Sequence, residues 1–234
     1  MLHADLRARV LDANLALGRA GLVVLTFGNA SAVDRDAGVV AIKPSGVSYD
    51  QLIAEAIAVV DLETGTLVDG DTRPSSDTPT HLVLYRAWPD VGGIVHTHSS
   101  FATAWAQAGE EIPCYGTTHA DHFDGAVPVT RSLSSDEIEG EYERATGEVI
   151  VETFDRLALE PLDRPAVLVV SHGPFAWGAS VEDAVENAIA LEEVAAGALR
   201  TRQVRPDVAP IADDLRRRHF RRKHGPAAYY GQSS

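Results

Sequence analysis

Two histidines, His96 and His98, follow a short run of small and apolar residues, Gly92–Val95. On a β-strand, side chains at positions i and i+2 point to the same face, so both imidazoles can reach one ion. Imidazole nitrogens bind zinc and other borderline divalent metals. Alternating histidines also occur on ordinary strand surfaces, and the pair by itself leaves both interpretations open.

Two further residues stand at the ends of predicted elements. Asp77 precedes a predicted helix start, with the Thr78 hydroxyl as N-cap and Pro79 at the first helical position. His172 follows the predicted strand Val167–Val170 and comes before a Gly-Pro pair. Three histidines and a carboxylate at element ends would make a metal-binding set, although spacing does not separate it from structural histidines.

Three short segments are predicted to form tight turns rich in backbone N–H groups and hydroxyls: Gly28-Asn29, Lys43–Gly46 and Pro74–Ser76. Such groups bind phosphate, and a lysine adds positive charge. The same residue types are also the usual residues of turns. Because the chain is acidic overall, a phosphate would bind here only through such local donors.

Candidate acid and base groups lie in two places. The segment Thr117–His122 contains His119, His122 and an aspartate, and the histidines are candidates for additional metal ligands. Tyr229 and Tyr230 stand near the end of the chain, where a tyrosine can donate a proton if a nearby cation lowers its pKa. A polar loop and docked terminal aromatics are the alternative interpretations.

The chain has two lysines, Lys43 and Lys223. Schiff-base chemistry needs a desolvated lysine beside the substrate carbonyl. Lys43 is predicted to lie in a turn, and Lys223 lies among arginines. Carbonyl chemistry is therefore expected to use a metal as the electrophile.

The elements that would position these groups alternate between helix and strand. Predicted helices cover 3–20, 78 to before Pro89, 102–108, 134–157 with a capping box at its start, and 180–202. Predicted strands cover 22–25, 39–42, 58–62, 67–68, 93–97 and 167–170. Several strand pairs are linked too briefly for helical crossovers, which indicates an α/β domain with a mixed, partly antiparallel sheet.

Charge and composition narrow the classes of function. The 234 residues carry 20 basic and 34 acidic side chains, a net charge of -14. Six of the basic residues lie in Arg216–Lys223, so the remainder is strongly acidic, which argues against nucleic acid as the main ligand. The basic segment is expected to offset the acidic body at a subunit contact or to bind one small anion, with a polyanion site as the alternative.

A single cysteine, Cys114, excludes an intrachain disulfide. No stretch approaches the roughly 20 apolar residues that a bilayer needs, and the N-terminal residues lack an apolar signal core. These observations predict a cytoplasmic protein with no membrane association.

The order of five segments resembles the class II aldolase/epimerase superfamily: Thr26–Ser31, Lys43–Gly46, Pro74–His81, His96–Ser99 and Ser171–Gly173. Within that superfamily, five further segments resemble the L-ribulose-5-phosphate 4-epimerase family: 117–121, 140–143, 172–178, 223–225 and 228–232. The resemblance implies one domain over residues 1–234, with a three-layer α/β/α fold around a largely antiparallel central sheet. It also implies a homotetramer with active sites between subunits, and no nucleic-acid or membrane partner.

The resemblance also assigns roles residue by residue. It implies a zinc ion, with manganese or cobalt as alternatives, held by Asp77, His96, His98 and His172. It implies a sugar-phosphate substrate bound by Gly28, Asn29, Lys43, Ser45, Gly46, Ser75 and Ser76. Asp121 and Tyr230 match the acid/base pair, Tyr230 reaching the site from a neighbouring subunit.

The implied reaction interconverts L-ribulose 5-phosphate and D-xylulose 5-phosphate by retro-aldol cleavage between carbons 3 and 4. The nearest alternative is a class II aldolase of the L-fuculose-1-phosphate type, which resembles this chain but has a glutamate where Asp77 stands. A non-catalytic scaffold of the same fold is a further alternative, which the four candidate ligands argue against. The sequence leaves open whether the pathway is arabinose or ascorbate breakdown.

Overall fold

A computed structural model of the chain describes residues 2–224, 228 and 229. Within them, the strands form one seven-stranded sheet: β1 Asn29–Asp34, β2 Val39–Ile42, β3 Ala58–Asp61, β4 Leu67–Asp69, β5 Gly93–His96, β6 Ala166–Val169 and β7 Gly173–Gly178. The strand order is β4-β3-β2-β1-β5-β7-β6, and every neighbouring pair is antiparallel. The expected largely antiparallel sheet is therefore confirmed.

Helices cover both faces of this sheet: α1 Ala4–Arg19, α2 Thr78–Ala87, α3 Ser100–Ala108, α4 Thr117–Ala120, α5 Ser135–Glu139, α6 Tyr142–Leu157, α7 Val181–Val204 and α8 Asp213–Lys223. Because side chains alternate along a strand, Val39 and Ala41 pack into the core under α1, α3 and α7, while Val40 packs toward α2 and α6. This is the expected three-layer arrangement. No helix among residues 2–224 has the length and apolar character to cross a membrane.

The predicted strand Leu22–Leu25 is wrong. The segment is a loop, and the first strand begins only at Asn29. Leu25 has a φ of 55°, outside the extended region, and the Leu25 side chain is 75% exposed. The prediction relied on a run of apolar residues, and this run lacks the alternation of buried and exposed side chains that is typical of a strand.

The single helix predicted over 134–157 is also wrong, although its capping box at Ser134 is confirmed. The chain breaks into α5 and α6 at Gly140, whose ψ of -129° is not helical. A Cβ at Gly140 would lie 2.9 Å from the Asp136 carbonyl oxygen, so a glycine fits this break. The break makes Tyr142 the first residue of α6.

Strand β7 was not predicted, because glycines and a proline dominate its sequence. It lies between β5 and β6, where close packing needs residues without side chains. A Cβ on Gly178 would approach the Asp183 Cβ to 2.5 Å. The tight connection from β6 to β7, with Ser171 at a φ of 59°, holds His172 at the end of the sheet.

Candidate metal and substrate site

Three histidines converge at one end of the sheet. His96 is the last residue of β5, His98 follows it by two residues, and His172 lies in the connection between β6 and β7. One nitrogen from each ring lies within 4.8 Å of the others, and the Nε2 atoms of His96 and His98 are 3.1 Å apart. The sequence spacing predicted that the first two rings could meet, and the antiparallel β5–β7 pairing brings in the third.

Contacts on the far side of the rings orient them. His96 Nδ1 lies 3.0 Å from the Pro174 carbonyl oxygen, which can only accept, so Nδ1 carries the proton and Nε2 has a free lone pair. His172 Nδ1 lies 3.2 Å from the Tyr142 hydroxyl. The Phe175 ring stacks on His96 with 4.2 Å between centroids. Such outer contacts fix the rings of metal-binding histidines.

The histidines are in the form that binds metal. Burial lowers the pKa of His96 to about 3, against the opposing influence of the Asp77 carboxylate. Burial also lowers the pKa values of His98 and His172. Neutral imidazoles are the ligands of divalent metals, so these rings need not lose a proton to bind one at neutral pH.

Asp77 lies directly before α2 in the same cavity. The expected N-cap is wrong: the Thr78 hydroxyl donates to the Ser75 carbonyl at 2.6 Å, and Asp77 occupies the cap position. Burial raises the pKa of Asp77, but nearby His96 and a 2.6 Å hydrogen bond from the Asn29 amide contribute to a net value below the ordinary one. Asp77 is therefore an anion beside the three rings.

The histidines line one wall of a cavity of about 420 Å³. Every residue that the sequence assigned to metal or substrate binding lines it: Gly28, Asn29, Lys43, Ser45, Gly46, Ser75, Ser76, Asp77, His96, His98 and His172. The cavity also receives Tyr142 and Glu143, to which the sequence assigned no role. The glycine at the start of their segment marks the helix break that turns them toward the cavity.

Lys43 lies at the start of the predicted turn segment, and its side chain is buried. Its side chain is 2% exposed, and Nζ lies 3.3 Å from the Thr26 carbonyl and 4.9 Å from the centre of the Tyr49 ring. Burial lowers the pKa of Lys43. A position in a turn therefore does not exclude a desolvated lysine here, since Lys43 is buried at the wall of the cavity.

Tyr49 also holds the turn before β1. Its hydroxyl donates to the Phe27 and Gly28 carbonyls at 3.1 and 2.9 Å. Gly28 has a φ of 80°, and a Cβ there would lie 2.9 Å from the His96 carbonyl oxygen. The turn thus needs a glycine and is tied to the strand that carries His96.

Asp121 does not line this cavity. It follows α4 and faces a different cavity of about 520 Å³ together with Lys223 and His224. Its carboxylate accepts hydrogen bonds from Arg222 Nε at 2.9 Å and Nη2 at 2.5 Å, and lies 3.1 Å from His219 Nδ1. Burial raises the pKa of Asp121, but these partners outweigh it and hold the pKa below its ordinary value.

The other candidates fall outside the cluster. His119 Nε2 contacts the Gly125 carbonyl at 2.8 Å, and neither His119 nor His122 belongs to the group of three histidines. Tyr230 lies outside the described residues. The basic segment forms α8, and its arginines pair with acids of the same chain, among them Arg217 with Asp214 at 2.8 Å.

Comparisons with known proteins identify a family and a shared fold. The family model described as Class II Aldolase and Adducin N-terminal domain matches residues 8–199. The chain is 55% identical over 227 residues to "L-ribulose-5-phosphate 4-epimerase UlaF" of Salmonella paratyphi C, a match that covers 97% of this chain and 98% of that protein. The protein of the same name from Salmonella typhi gives the same identity and coverage.

Two solved structures share the fold. An L-fuculose 1-phosphate aldolase superimposes with a TM-score of 0.79 at 23% identity, over 95% of this chain and 97% of that one. The L-fuculose-1-phosphate aldolase of Thermus thermophilus gives a TM-score of 0.66 at 24% identity, over 89% of this chain and 100% of that one.

Proposed function

The chain belongs to the class II aldolase and adducin N-terminal domain family, and we propose that it is a metal-dependent 4-epimerase that interconverts L-ribulose 5-phosphate and D-xylulose 5-phosphate. The observation that carries the proposal is the 55% identity to proteins named L-ribulose-5-phosphate 4-epimerase over nearly the full length of both chains. The cavity described above supports it, because it combines a metal-type donor set with turns of the kind that bind phosphate.

The donor set fits a divalent transition metal. Three imidazoles and one carboxylate, from His96, His98, His172 and Asp77, are ligands suited to zinc, manganese or cobalt. When bound, such an ion acts as a Lewis acid at the substrate carbonyl. The chain's own contribution is to hold the rings neutral, through burial, and in a fixed orientation, through the contacts at Pro174.

The turn segments that line the same cavity would bind the phosphate. The turns at Gly28, Ser45 and Ser75 bring small polar residues together, and the Lys43 side chain lies among them. Backbone N–H groups and hydroxyls in such turns hold a phosphate, and the fixed phosphate end orients the sugar toward the histidines. A phosphate held this way also keeps a cleaved fragment from leaving.

The reaction cannot proceed by simple deprotonation, because the hydrogen on carbon 4 is not adjacent to the carbonyl at carbon 2. In the proposed path, a base takes the proton from the carbon-4 hydroxyl, and the bond between carbons 3 and 4 breaks. Its electron pair moves to form the enediolate of dihydroxyacetone, and carbon 4 becomes the aldehyde of glycolaldehyde phosphate. After the aldehyde rotates, carbon 3 attacks its other face and an acid returns a proton to the new alkoxide.

We assign the two proton transfers to Asp121 and Tyr230. Because Asp121 faces a different cavity from the histidines, we propose that a neighbouring copy supplies it, within the homotetramer that the family resemblance implies. The Arg222 guanidinium keeps Asp121 ionised and in one orientation. An ionised carboxylate is the form that can accept the proton of the carbon-4 hydroxyl.

The test is turnover of L-ribulose 5-phosphate by zinc-loaded protein, with D-xylulose 5-phosphate followed by a coupled enzyme. We expect epimer formation by the wild type and its loss by about 1,000-fold in His98→Ala, together with loss of bound zinc. The matched control is His3→Asn, which removes a histidine outside the cluster and outside both cavities and should keep zinc and activity. Release of dihydroxyacetone and glycolaldehyde phosphate without epimer would indicate an aldolase instead.

A further inference from the structure

Behind the histidine cluster, polar side chains of β1 and α2 form a buried row. Asn29 and Ser31 are two residues apart on β1 and point to one face, while Asp77, His81 and Tyr85 are four apart and lie along one side of α2. The Asn29 amide donates to Asp77, and the Ser31 hydroxyl contacts His81 Nδ1 at 2.7 Å and Tyr85 Oη at 2.8 Å. Tyr85, Ser31 and His81 are thus joined by hydrogen bonds, and His81 lies one helical turn from the carboxylate that Asn29 contacts.

One ring nitrogen of His81 is buried without a hydrogen-bond partner among the described residues. Its side chain is fully buried, and Nε2 has no hydrogen-bond partner among the described residues. Asn29 Oδ1, beside the same aspartate, is a second buried atom without one among them. A buried donor or acceptor without a partner costs free energy. His81 Nε2 and Asn29 Oδ1 are therefore expected to share an additional hydrogen-bonding group.

The position of the proton on His81 follows from its neighbours. His81 lies one helical turn after Asp77, and the charge of Asp77 acts on the ring. An ionised carboxylate can only accept hydrogen bonds, so it favours the proton on Nε2. Ser31 then donates to Nδ1, and its oxygen accepts from Tyr85. Each contact in the row has a donor and an acceptor in this arrangement.

We propose that His81 is a positioning residue that acts through Asp77. The Nε2–H group, which contacts no described acceptor directly, holds the carboxylate through one buried water that also reaches Asn29 Oδ1, in the orientation that binds the metal. The inference rests on the proposed function, because Asp77 is a metal ligand only within it. Partners behind the ligands of a metal typically contribute 10- to 100-fold to its affinity.

The test measures zinc affinity of the apoprotein by competition with a chromogenic chelator. His81→Met has a similar volume but no donor, and we expect it to weaken zinc binding by about 10- to 100-fold. His81→Gln keeps an N–H donor near the Nε2 position and should retain most of the affinity. Tyr85→Phe, at the far end of the row, is the matched control and should bind zinc as the wild type does.

A second comparison separates positioning from general loss of structure. In an Asp77→Asn background, His81→Met should cause little further loss of zinc affinity, because the two residues act as one unit. Ser31→Ala removes the donor to Nδ1 without disturbing the core volume and should weaken zinc binding by a few fold. This variant tests the same chain of contacts if His81→Met does not fold.

Equal zinc affinities of the wild type, His81→Met and Ser31→Ala would overturn the inference. The same fold loss from His81→Met with and without Asp77 would also overturn it, since the histidine would then not act through the carboxylate. A wild type that binds zinc but does not epimerise L-ribulose 5-phosphate would contradict the proposed substrate alone, and the affinities would still decide the role of His81.

Discussion

The two polar regions of this chain are built in opposite ways. At the end of the central strands, three neutral imidazole rings and one carboxylate lie close together. The Nε2 atoms of His96 and His98, for example, are 3.1 Å apart. Where α4 meets α8, Asp121 forms an ion pair with Arg222, which donates to both carboxylate oxygens. The first region is a cluster of neutral rings beside one carboxylate, and the second is an ion pair.

This difference suggests separate functions for the two regions, metal and phosphate binding for one and proton transfer for the other. At the histidine end, the antiparallel strands and tight turns of one chain bring together every residue that we propose to bind the ion and the phosphate. The α4–α8 corner instead fixes the charge and direction of one carboxylate toward another surface. We therefore expect metal binding to depend on one copy of the chain, and proton transfer to depend on its neighbour.

The largest expected effect comes from mixing two inactive variants. Asp121→Asn should lose roughly 1,000-fold in turnover while keeping its zinc, because a proton-transfer group contributes about 10²–10⁴-fold. His98→Ala should lose its zinc. If the two regions act in different copies, co-expressed and co-purified mixtures of the two should recover about one quarter of wild-type activity by random assortment in a ring.

The measurement is turnover of mixed assemblies purified through two different tags. Assemblies of wild type with either variant serve as controls and should be active in proportion to their intact sites. Mixed variants that stay inactive, while both controls are active, would show that Asp121 and the histidines must belong to one chain.

A smaller effect is expected at the ion pair itself. Arg222→Met removes the donor of two charged hydrogen bonds to Asp121 and should lower the free energy of unfolding by about 2 kcal/mol at neutral pH. Turnover should also fall by about tenfold, because the carboxylate loses its fixed orientation. The measurement is urea unfolding beside steady-state kinetics, with Arg218→Met, an exposed arginine on the same helix, as the control.

The pH dependence of this loss has a definite sign. Because the pKa of Asp121 is lower in the folded protein than in the unfolded chain, its stabilisation is present above the unfolded value and is lost as pH falls through the folded one. The gap in stability between Arg222→Met and the wild type should be widest at neutral pH and narrow below about pH 4. A gap that is independent of pH would contradict the ion-pair account.

The smallest effect is expected in the turn at the phosphate end. Tyr49→Phe removes the hydroxyl that donates to Phe27 and Gly28 but keeps the ring under Lys43. The loss of about 1 kcal/mol should raise KM for the sugar phosphate by about fivefold and leave kcat nearly unchanged. Tyr115→Phe, which removes a hydroxyl bonded to Arg202 elsewhere, should change neither constant. A fall in kcat without a change in KM would mean that the turn does not bind the phosphate.

The amino-acid sequence by itself determined the local part of this site. His96 and His98 are two residues apart, which placed both side chains on one face of a strand. The Thr-Pro pair after Asp77 marked the start of a helix. Short apolar runs also made the strands Val39–Ile42 and Gly93–His96 predictable, with boundaries within one residue. These features depend only on residues that are close together along the chain, so they can be predicted from the sequence.

Only the tertiary structure decided which distant segments meet. Strand β7 has no alternating pattern, because it begins and ends with glycines that pack closely on Thr97 and on α7. Its pairing with β5 nevertheless brings His172 to His96. Lys43 is buried beside the Thr26 carbonyl and the Tyr49 ring, which come from other parts of the chain. The separation of Asp121 from the histidines likewise depends on how α8 folds back on α4. Long-range pairing and packing depend on the sum of many weak contacts across the chain, and no local spacing records that sum.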